Sequence, residues 1–216
     1  MRSPVGRVRV LLVDDHAVVR AGYRLLLQHQ PEIEVVAEAD SGELACRHYA
    51  DLEPDVVVMD LGLPGMGGLE AIKRIRMRDP NARILVFSMH EEPMFVERAL
   101  AAGASGYVTK SSAPEVLVAA VRKVAAGGRH LDRSLEQRLT FDRVRGSDSP
   151  LMQLSTREFE IFCLLAEGSS SADIAKRLSL SPKTVANYST QLKSKLNVGS
   201  IAEFARLAIR HGIMRA

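Results

Sequence analysis

Residues 56–70 read VVVMDLGLPGMGGLE, and this stretch decides how the first half of the chain folds. Four apolar residues lead directly to Asp60, and glycine and proline are frequent behind it. A short apolar run between turn residues is typical of a buried strand in a parallel sheet. Open α/β sheets keep their binding sites at the carboxyl ends of such strands. The pattern therefore predicts a strand, an acid at its end, a loop and a helix, with Asp60 in a functional site.

The same alternation of strand and helix continues on both sides of this stretch. Five apolar runs are each followed by a segment with helical periodicity, which predicts a doubly wound five-stranded parallel sheet with helices on both faces. The predicted strands are Val8–Val13, Ile33–Ala39, Val56–Met59, Ile84–Phe87 and Gly106–Val108. The predicted helices begin near Ala17, Gly42, Gly67, Pro93 and Pro114.

The rhythm of the chain divides it into three parts. Residues 1–128 form the α/β domain, and residues 129–152 read as a linker with one short helix at Ser134–Leu139. Residues 153–216 are predicted to be all helical, because serine caps recur before apolar-periodic segments. Two of these helices are joined by a tight turn, which is the pattern of a small helix-turn-helix domain.

Composition limits the function classes. The chain has 216 residues, of which 46% are hydrophobic and 25% charged, as in an ordinary soluble globular protein. No apolar run approaches the roughly 20 residues that span a bilayer, and the first residues do not resemble a signal peptide, so we expect a cytoplasmic protein without membrane contact. Residues 1–128 carry 15 Lys and Arg against 17 Asp and Glu, and residues 129–216 carry 14 against 9. The basic second part suggests nucleic acid as its partner.

Polar side chains follow four of the predicted strands. Asp14 and Asp15 come after the first strand, Asp60 after the third, Ser88 ends the fourth and Lys110 follows the fifth. Three carboxylates at one edge of a sheet repel each other, and a hard divalent cation such as Mg²⁺ relieves that repulsion. A metal, a hydroxyl and an ammonium around one carboxylate suit phosphoryl transfer.

At this point the chain resembles a known family. Residues 13–16 (VDDH), 59–68 (MDLGLPGMGG), Ser88 and 102–110 (AGASGYVTK) look like the flavodoxin-like receiver domain of two-component response regulators. Residues 154–158, 173–175 and 181–185 resemble the LuxR-type helix-turn-helix. Together they resemble the NarL/FixJ family over essentially the whole chain outside the linker.

The resemblance implies roles for individual residues. Asp60 would accept a phosphoryl group from a sensor histidine kinase, and Lys110 and Ser88 would bind its oxygens. Mg²⁺ would be held by Asp14, Asp15, Asp60 and the backbone carbonyl of Gly62, and Tyr107 would be an aromatic switch that turns inward as Ser88 moves. Ser111 departs from the pattern, because many receivers carry a proline there after a cis bond; the isomer of the Lys110–Ser111 peptide is left open.

The helix that opens at Pro182 is predicted to read DNA. Its buried face would carry Val185, Tyr188, Leu192 and Leu196. We expect Asn187 and Gln191 to reach bases in the major groove and the lysines to contact phosphates. The predicted DNA-binding residues are Lys183, Thr184, Asn187, Thr190, Gln191, Lys193 and Lys195. The last helix, with Ile201, Phe204, Ala205 and Ala208 inward, resembles the dimerisation helix of the family and favours a homodimer on a palindrome.

These features predict a transcription regulator whose DNA binding is controlled by phosphorylation at Asp60. It would not be an enzyme, although it would lose its phosphoryl group by slow self-hydrolysis; RNA polymerase is a further partner to consider. The alternative is a DNA-binding regulator whose receiver serves only as a phosphate-independent dimerisation module. A phosphatase of the haloacid dehalogenase kind is disfavoured, because Gly62 stands where that group has a second aspartate.

Overall fold

The computed structural model describes residues 6–132, 135–139 and 149–214. Contacts divide the chain into two compact units. The first comprises Met1–Glu91 and Ala99–Glu136, and the second comprises Glu92–Arg98 and Gln137–Ala216.

The first unit is a parallel sheet in the order β2-β1-β3-β4-β5-β6. Its strands are β1 (Val8–Val13), β2 (Ile33–Ala39), β3 (Val56–Met59), β4 (Ile84–Ser88), β5 (Gly106–Thr109) and β6 (His130–Leu131). The helices between them are α1 (Ala17–Gln28), α2 (Gly42–Leu52), α3 (Gly68–Arg78), α4 (Pro93–Ala102) and α5 (Pro114–Ala125). The part of α4 up to Arg98 is assigned to the second unit. The doubly wound architecture and all five predicted strands are confirmed.

The sheet has one strand more than the sequence predicts. β6 pairs in parallel with β5 at its edge, with His130 opposite Gly106 and Leu131 opposite Tyr107. Gly106 permits this approach, because a Cβ atom at that position would lie 2.6 Å from the carbonyl oxygen of His130. The beginning of the predicted linker therefore belongs to the sheet.

The core of the first unit is made by the central strands and α5. Strand β3 is fully buried along its length, as expected for a strand covered on both faces. The apolar face of α5 packs on the sheet through Leu117, Ala120, Val121 and Val124. Of the short helix predicted at Ser134–Leu139, residues 135–139 are helical, and Ser134 lies outside the described residues, as do residues 140–148 of the predicted linker.

The second unit is helical in its C-terminal part, as predicted. A 3-10 helix (Pro150–Gln153) precedes α6 (Thr156–Ala166), α7 (Ser171–Arg177), α8 (Pro182–Leu196) and α9 (Ile201–Arg210). The predicted capping box is present, since Ser155 accepts from the amide of Glu158 and Glu158 accepts from the amide of Ser155. The serines before α7, α8 and α9 also cap their helices. Helices α7 and α8 form the helix-turn-helix.

Candidate functional site

The register of the central strands sets the positions of the acids. Val13 of β1 pairs with Met59 of β3, so Asp14 and Asp60 leave neighbouring strands at the same level. The amide of Asp60 donates to the carbonyl of Val13 at 3.0 Å. On the other side, the amide of Lys110 donates to the carbonyl of Ser88 at 2.8 Å. The predicted cluster at the carboxyl edge is therefore assembled by backbone pairing.

Lys110 links two of the acids. Its Nζ lies 2.6 Å from Oδ2 of Asp14 and 2.6 Å from Oδ2 of Asp60. All three side chains are buried, with at most 7% of each exposed. Burial acts to lower the pKa of Lys110, but the hydrogen bonds to Asp14 and Asp60 outweigh it and hold that pKa above its usual value. Lys110 is therefore a charged ammonium shared by two carboxylates.

The other oxygen of Asp60 faces the backbone behind it. Its Oδ1 accepts from the amide of Leu61 at 2.7 Å and from the amide of Gly62 at 3.4 Å. Gly68, at the start of α3, lies against the carbonyl oxygen of Asp60. The Asp60 carboxylate is thus oriented from both sides, by main-chain amides and by the ammonium.

The acids are close enough together to share a metal ion. Ligand atoms of Asp14, Asp15, His16 and Asp60 all lie within 4.8 Å of one another. Carboxylate oxygens are the ligands that Mg²⁺ prefers, so the donor set fits the predicted cation. His16 was not among the predicted site residues. Its Nδ1 lies 2.8 Å from Oδ1 of Asp15, and its place directly after the acid pair was the signal that could have indicated it.

The two residues with predicted switching roles are both buried beside this cluster. Ser88 is 1% exposed, and its Oγ accepts from the amide of His90 at 3.4 Å. Tyr107 is completely buried, and its hydroxyl donates to the carbonyl of His90 at 2.7 Å. The inward position that the sequence analysis assigns to Tyr107 is the one that its side chain occupies here.

The backbone of the loop after β5 shows which isomer the Lys110–Ser111 peptide adopts. No peptide bond among the described residues is cis, so the Lys110–Ser111 peptide is trans. The Ser111 hydroxyl donates to Glu91 at 2.5 Å. A serine at this position thus ties the loop after β5 to the loop after β4.

The structure also places Arg20 beside the acid cluster, a residue that the sequence analysis does not predict to be part of the site. Its Nη1 donates to the backbone carbonyl of Asp14 at 2.5 Å, and its Nε donates to Glu38 at 3.1 Å. Glu38 lies on β2, the strand beside β1, and only the folded sheet places it next to α1. No local sequence pattern could have indicated this contact.

In the second unit, α8 presents the predicted DNA-reading face. Val185, Leu192 and Leu196 are buried and Tyr188 is half-buried, which confirms the predicted inward face. The predicted contact residues lie outward: Lys183, Asn187, Thr190, Gln191 and Lys195 are exposed, and Thr184 and Lys193 are half-exposed. Asn187 and Gln191 stand about one turn apart on this exposed face.

Three of these outward residues have intramolecular partners. The Lys195 ammonium lies 2.9 Å from Oε2 of Glu158 on α6, and the Thr190 hydroxyl donates to the carbonyl of Ala186 at 3.1 Å. The Thr184 hydroxyl lies 2.8 Å from that of Ser181. Asn187, Gln191, Lys183 and Lys193 are therefore the best placed to contact DNA.

The last helix requires one correction. Phe204 and Ala208 are buried and Ala205 is half-buried, but Ile201 is 47% exposed, so its predicted inward position is wrong. Ile201 is the first residue of α9, where there is no preceding helical turn to cover it. Ile209, near the other end of the same helix, is 41% exposed.

A parallel sheet with this cluster at its carboxyl edge, joined to a helix-turn-helix, defines a two-component response regulator. The comparisons with known proteins agree. The response regulator receiver domain model matches residues 10–122, and the model of bacterial regulatory proteins of the luxR family matches residues 152–208. The chain belongs to the NarL/FixJ family of response regulators, which regulate transcription.

Relatives and solved structures match over most of the chain. The response regulator UvrY of Escherichia coli (strain K12) is 38% identical over 211 residues, or 97% of each chain. A LuxR-family response regulator from Aurantimonas sp. SI85-9A1 has a TM-score of 0.62 at 49% identity, over 64% of this chain and 99% of that one. RcsB of Salmonella typhimurium has a TM-score of 0.61 at 29% identity, over 94% and 99%. In a further RcsB structure, with 26% identity, a TM-score of 0.59 and the same coverage, two dimers are bound to two parallel DNAs.

Among the described residues, no helix is both long enough and apolar enough to span a membrane.

Proposed function

We propose that Asp60 accepts a phosphoryl group from a phosphohistidine on a sensor histidine kinase, and that this event controls DNA binding by α8. One observation carries the proposal: a single buried ammonium, Lys110, lies 2.6 Å from both Asp14 and Asp60. Phosphoryl transfer needs positioning and charge neutralisation around the acceptor more than it needs covalent chemistry, and this cluster provides both.

The residues act in the following way. A carboxylate oxygen of Asp60 attacks phosphorus in line, and the bond between phosphorus and the histidine nitrogen breaks, leaving its electron pair on the imidazole. The amides of Leu61 and Gly62 hold the Asp60 carboxylate in place during the attack. Lys110 exchanges its contact with Asp14 for a phosphoryl oxygen, and the Ser88 hydroxyl turns from His90 to donate to another.

The metal site would be formed by Asp14, Asp15, Asp60 and the backbone carbonyl of Gly62. Mg²⁺ bound there would neutralise the charge that develops on the phosphoryl oxygens. His16 lies at the border of this site, with its Nδ1 2.8 Å from Oδ1 of Asp15. Slow loss of the phosphoryl group to water would return the chain to its resting state.

The α8 helix would bind in the major groove of DNA as one half of a homodimer. The exposed amides of Asn187 and Gln191 would read bases, and Lys183 and Lys193 would contact phosphates. The assembly of two RcsB dimers on DNA supports this arrangement by analogy. The protein would act in the cytoplasm, where the DNA lies, and would contact RNA polymerase. Its functional parts would be a receiver at residues 1–128, a linker at 129–152 and a DNA-binding domain at 153–216.

An intact-mass spectrum after incubation with acetyl phosphate and Mg²⁺ tests the acceptor. We expect one added phosphoryl group on the wild type and none on Asp60→Ala. Asp51→Ala is a matched control, because Asp51 is an exposed acid on α2. An adduct that persists in Asp60→Ala would refute Asp60 as the acceptor.

The link to DNA is tested on sites selected from a random DNA library with the phosphorylated wild type. We expect phosphorylation to increase both dimerisation and affinity in the wild type, but not in Asp60→Ala. If Asp60→Ala matched the phosphorylated wild type in both, the receiver would serve as a phosphate-independent dimerisation module.

A further inference from the structure

Asp14 is held by two backbone partners and two side chains, Lys110 and Arg20, and the function proposed above uses only the first of these side chains. Its amide donates to the carbonyl of Ala39 at 3.0 Å, and its Oδ1 accepts from the amide of His16 at 2.8 Å. Its Oδ2 is bound by Lys110. The fourth partner is Arg20 on α1, whose Nη1 donates to the backbone carbonyl of Asp14 at 2.5 Å.

We propose that Arg20 is a positioning residue for the acid pair: by fixing the carbonyl of Asp14 it sets the direction in which Asp15 enters the metal site. This inference rests on the proposed magnesium site.

The planarity of the peptide bond gives the mechanism. The carbonyl of Asp14 and the amide of Asp15 belong to one rigid plane, so a hydrogen bond to the carbonyl fixes the orientation of that plane. Asp15 needs this support more than its neighbour does. Its side chain is 29% exposed, and its Oδ1 lies 2.8 Å from Nδ1 of His16, whose own side chain is 67% exposed.

Arg20 can act in this way because it is itself held on the opposite side. Its Nε donates to Oε2 of Glu38, which lies on β2, and only 18% of the Arg20 side chain is exposed. The planar guanidinium thus joins β2 to the loop after β1 through two contacts in fixed directions. A lysine has one charged nitrogen on a flexible stem and could not make both contacts with the same geometry.

The effect of Arg20 on the acids is geometric more than electrostatic. The Glu38 carboxylate is paired with the Arg20 guanidinium, and its negative charge offsets most of the positive potential that Arg20 would otherwise produce at the metal site. Removing Arg20 would therefore release the Asp14–Asp15 peptide while changing the net charge of the cluster little. In Arg20→Ala, the rate of phosphorylation at saturating Mg²⁺ should therefore stay the same, and the affinity for Mg²⁺ should fall.

The chain offers a matched control one helical turn away. Arg24 also forms an ion pair with Glu38, with Nη1 3.3 Å from Oε1, but it has no contact with Asp14 among the described residues. Arg20→Ala and Arg24→Ala each remove one arginine from α1 and one ion pair with Glu38. Only Arg20→Ala removes the contact with the carbonyl of Asp14.

The first experiment measures binding of MgCl₂ to the full-length unphosphorylated protein by isothermal titration calorimetry. We expect the Kd of Arg20→Ala to rise by about tenfold, as is typical when a group that orients a metal ligand is lost. Arg20→Lys should lie between Arg20→Ala and the wild type, and Arg24→Ala should match the wild type. Equal affinities in wild type and Arg20→Ala, or equal losses in both alanine variants, would overturn the inference.

The second experiment measures phosphorylation by acetyl phosphate as a function of Mg²⁺ concentration. We expect the half-saturating Mg²⁺ concentration of Arg20→Ala to rise by about tenfold while the rate at saturating Mg²⁺ is retained. A fall in the saturating rate alone would contradict a positioning role. If Arg20→Ala did not fold, Arg20→Met, which keeps a long apolar side chain but has no N–H donor, would replace it, and wild-type binding by that variant would refute the inference.

The experiments distinguish failure of the proposed magnesium site from failure of the proposed role of Arg20. A wild-type protein that bound no Mg²⁺ would refute the metal site itself. A wild type that bound Mg²⁺, beside an Arg20→Ala variant of equal affinity, would refute only the role of Arg20.

Discussion

Gly68 lies so close to Asp60 that a Cβ atom on the glycine would be 2.0 Å from the carbonyl oxygen of the aspartate. The atoms in the way belong to the backbone of Asp60 and Leu61, which cannot rotate aside as a flexible side chain can. The first turn of α3 therefore packs directly against the main chain that carries the proposed phosphoacceptor.

Gly68→Ala should damage the site without touching any of its side chains. We expect the free energy of unfolding to fall by about 1–3 kcal/mol, as for other overpacked positions. Phosphorylation by acetyl phosphate should slow by up to about 10²-fold, because the Asp60 backbone must shift. Gly22→Ala is the control: a Cβ atom there meets nothing within 4 Å, and the change should stabilise α1 by up to about 1 kcal/mol. Wild-type phosphorylation of Gly68→Ala would contradict the expectation.

Lys110→Met should destabilise the protein, because Asp14 and Asp60 would repel each other without the ammonium between them. Without the ammonium, Asp14 and Asp60 face each other as uncompensated buried charges. We expect the free energy of unfolding at neutral pH to fall by about 3 kcal/mol, and acetyl phosphate labelling to fall by about 10²-fold. Denaturant unfolding and intact mass measure the two effects, and an unchanged stability would show that the acids do not need this cation.

The difference in free energy of unfolding between the wild type and Lys110→Met should depend on pH, because the pKa of Lys110 is raised in the folded protein. Burial alone would lower it, but the hydrogen bonds to Asp14 and Asp60 raise it. A pKa that is higher in the folded state gives a stabilisation that is complete below the unfolded value of about 10.4 and is lost as the pH rises through the folded value. The stability gap between wild type and Lys110→Met should therefore be constant from neutral pH to about pH 9 and shrink only in stronger alkali. A gap that closed near neutral pH would contradict a charged Lys110.

Tyr107→Phe tests the contact between β5 and the loop after β4. The change removes the hydroxyl that donates to the carbonyl of His90 and keeps the buried ring. We expect a loss of about 1 kcal/mol in stability and faster amide hydrogen exchange in residues 89–92. Tyr23→Phe, which keeps the edge-on contact between Tyr23 and Phe87, should leave exchange in that loop unchanged. Unchanged exchange in Tyr107→Phe would show that the hydroxyl does not restrain the loop.

Two substitutions on α8 should separate base reading from phosphate contact. Gln191→Ala should cost about 1–3 kcal/mol on a selected site and relax the base preference at one position. Lys193→Ala should weaken binding to all sequences and reduce the salt dependence by about one counterion. Binding titrations at several salt concentrations distinguish them, with Lys73→Ala on the exposed face of α3 as the control. The assignment fails if the two α8 variants have the same salt dependence.

The positions of the strand ends could be predicted from the sequence because each buried strand is a short apolar run that stops at a polar or turn residue. That rule alone placed Asp60, Asp14 and Lys110 at one edge of the sheet. The capping box at Ser155 and Glu158 was equally visible, since both partners lie within one helical turn.

Features that depend on distant partners could not be predicted in this way. Strand β6 has two half-buried residues, and its pairing relies on the small size of Gly106, 24 positions earlier in the chain. Arg20 gains its role only when β2 brings Glu38 beside α1. The pairing of Lys195 with Glu158, 37 residues apart, likewise follows from helix packing and not from periodicity.

The bridge formed by Lys110 has a consequence for the order of events during folding. The lysine lies 96 residues after Asp14 and 50 residues after Asp60. On a chain emerging from the ribosome, the strands that carry the two acids can pair before the fifth strand has been synthesised, and domains generally fold as units from the N-terminal side. Until Lys110 arrives, such a nascent sheet holds mutually repelling carboxylates at its edge. Under the proposed function, competence to accept a phosphoryl group would be acquired only with the completed receiver, and a half-made regulator would not compete with finished copies for the phosphoryl groups of the kinase.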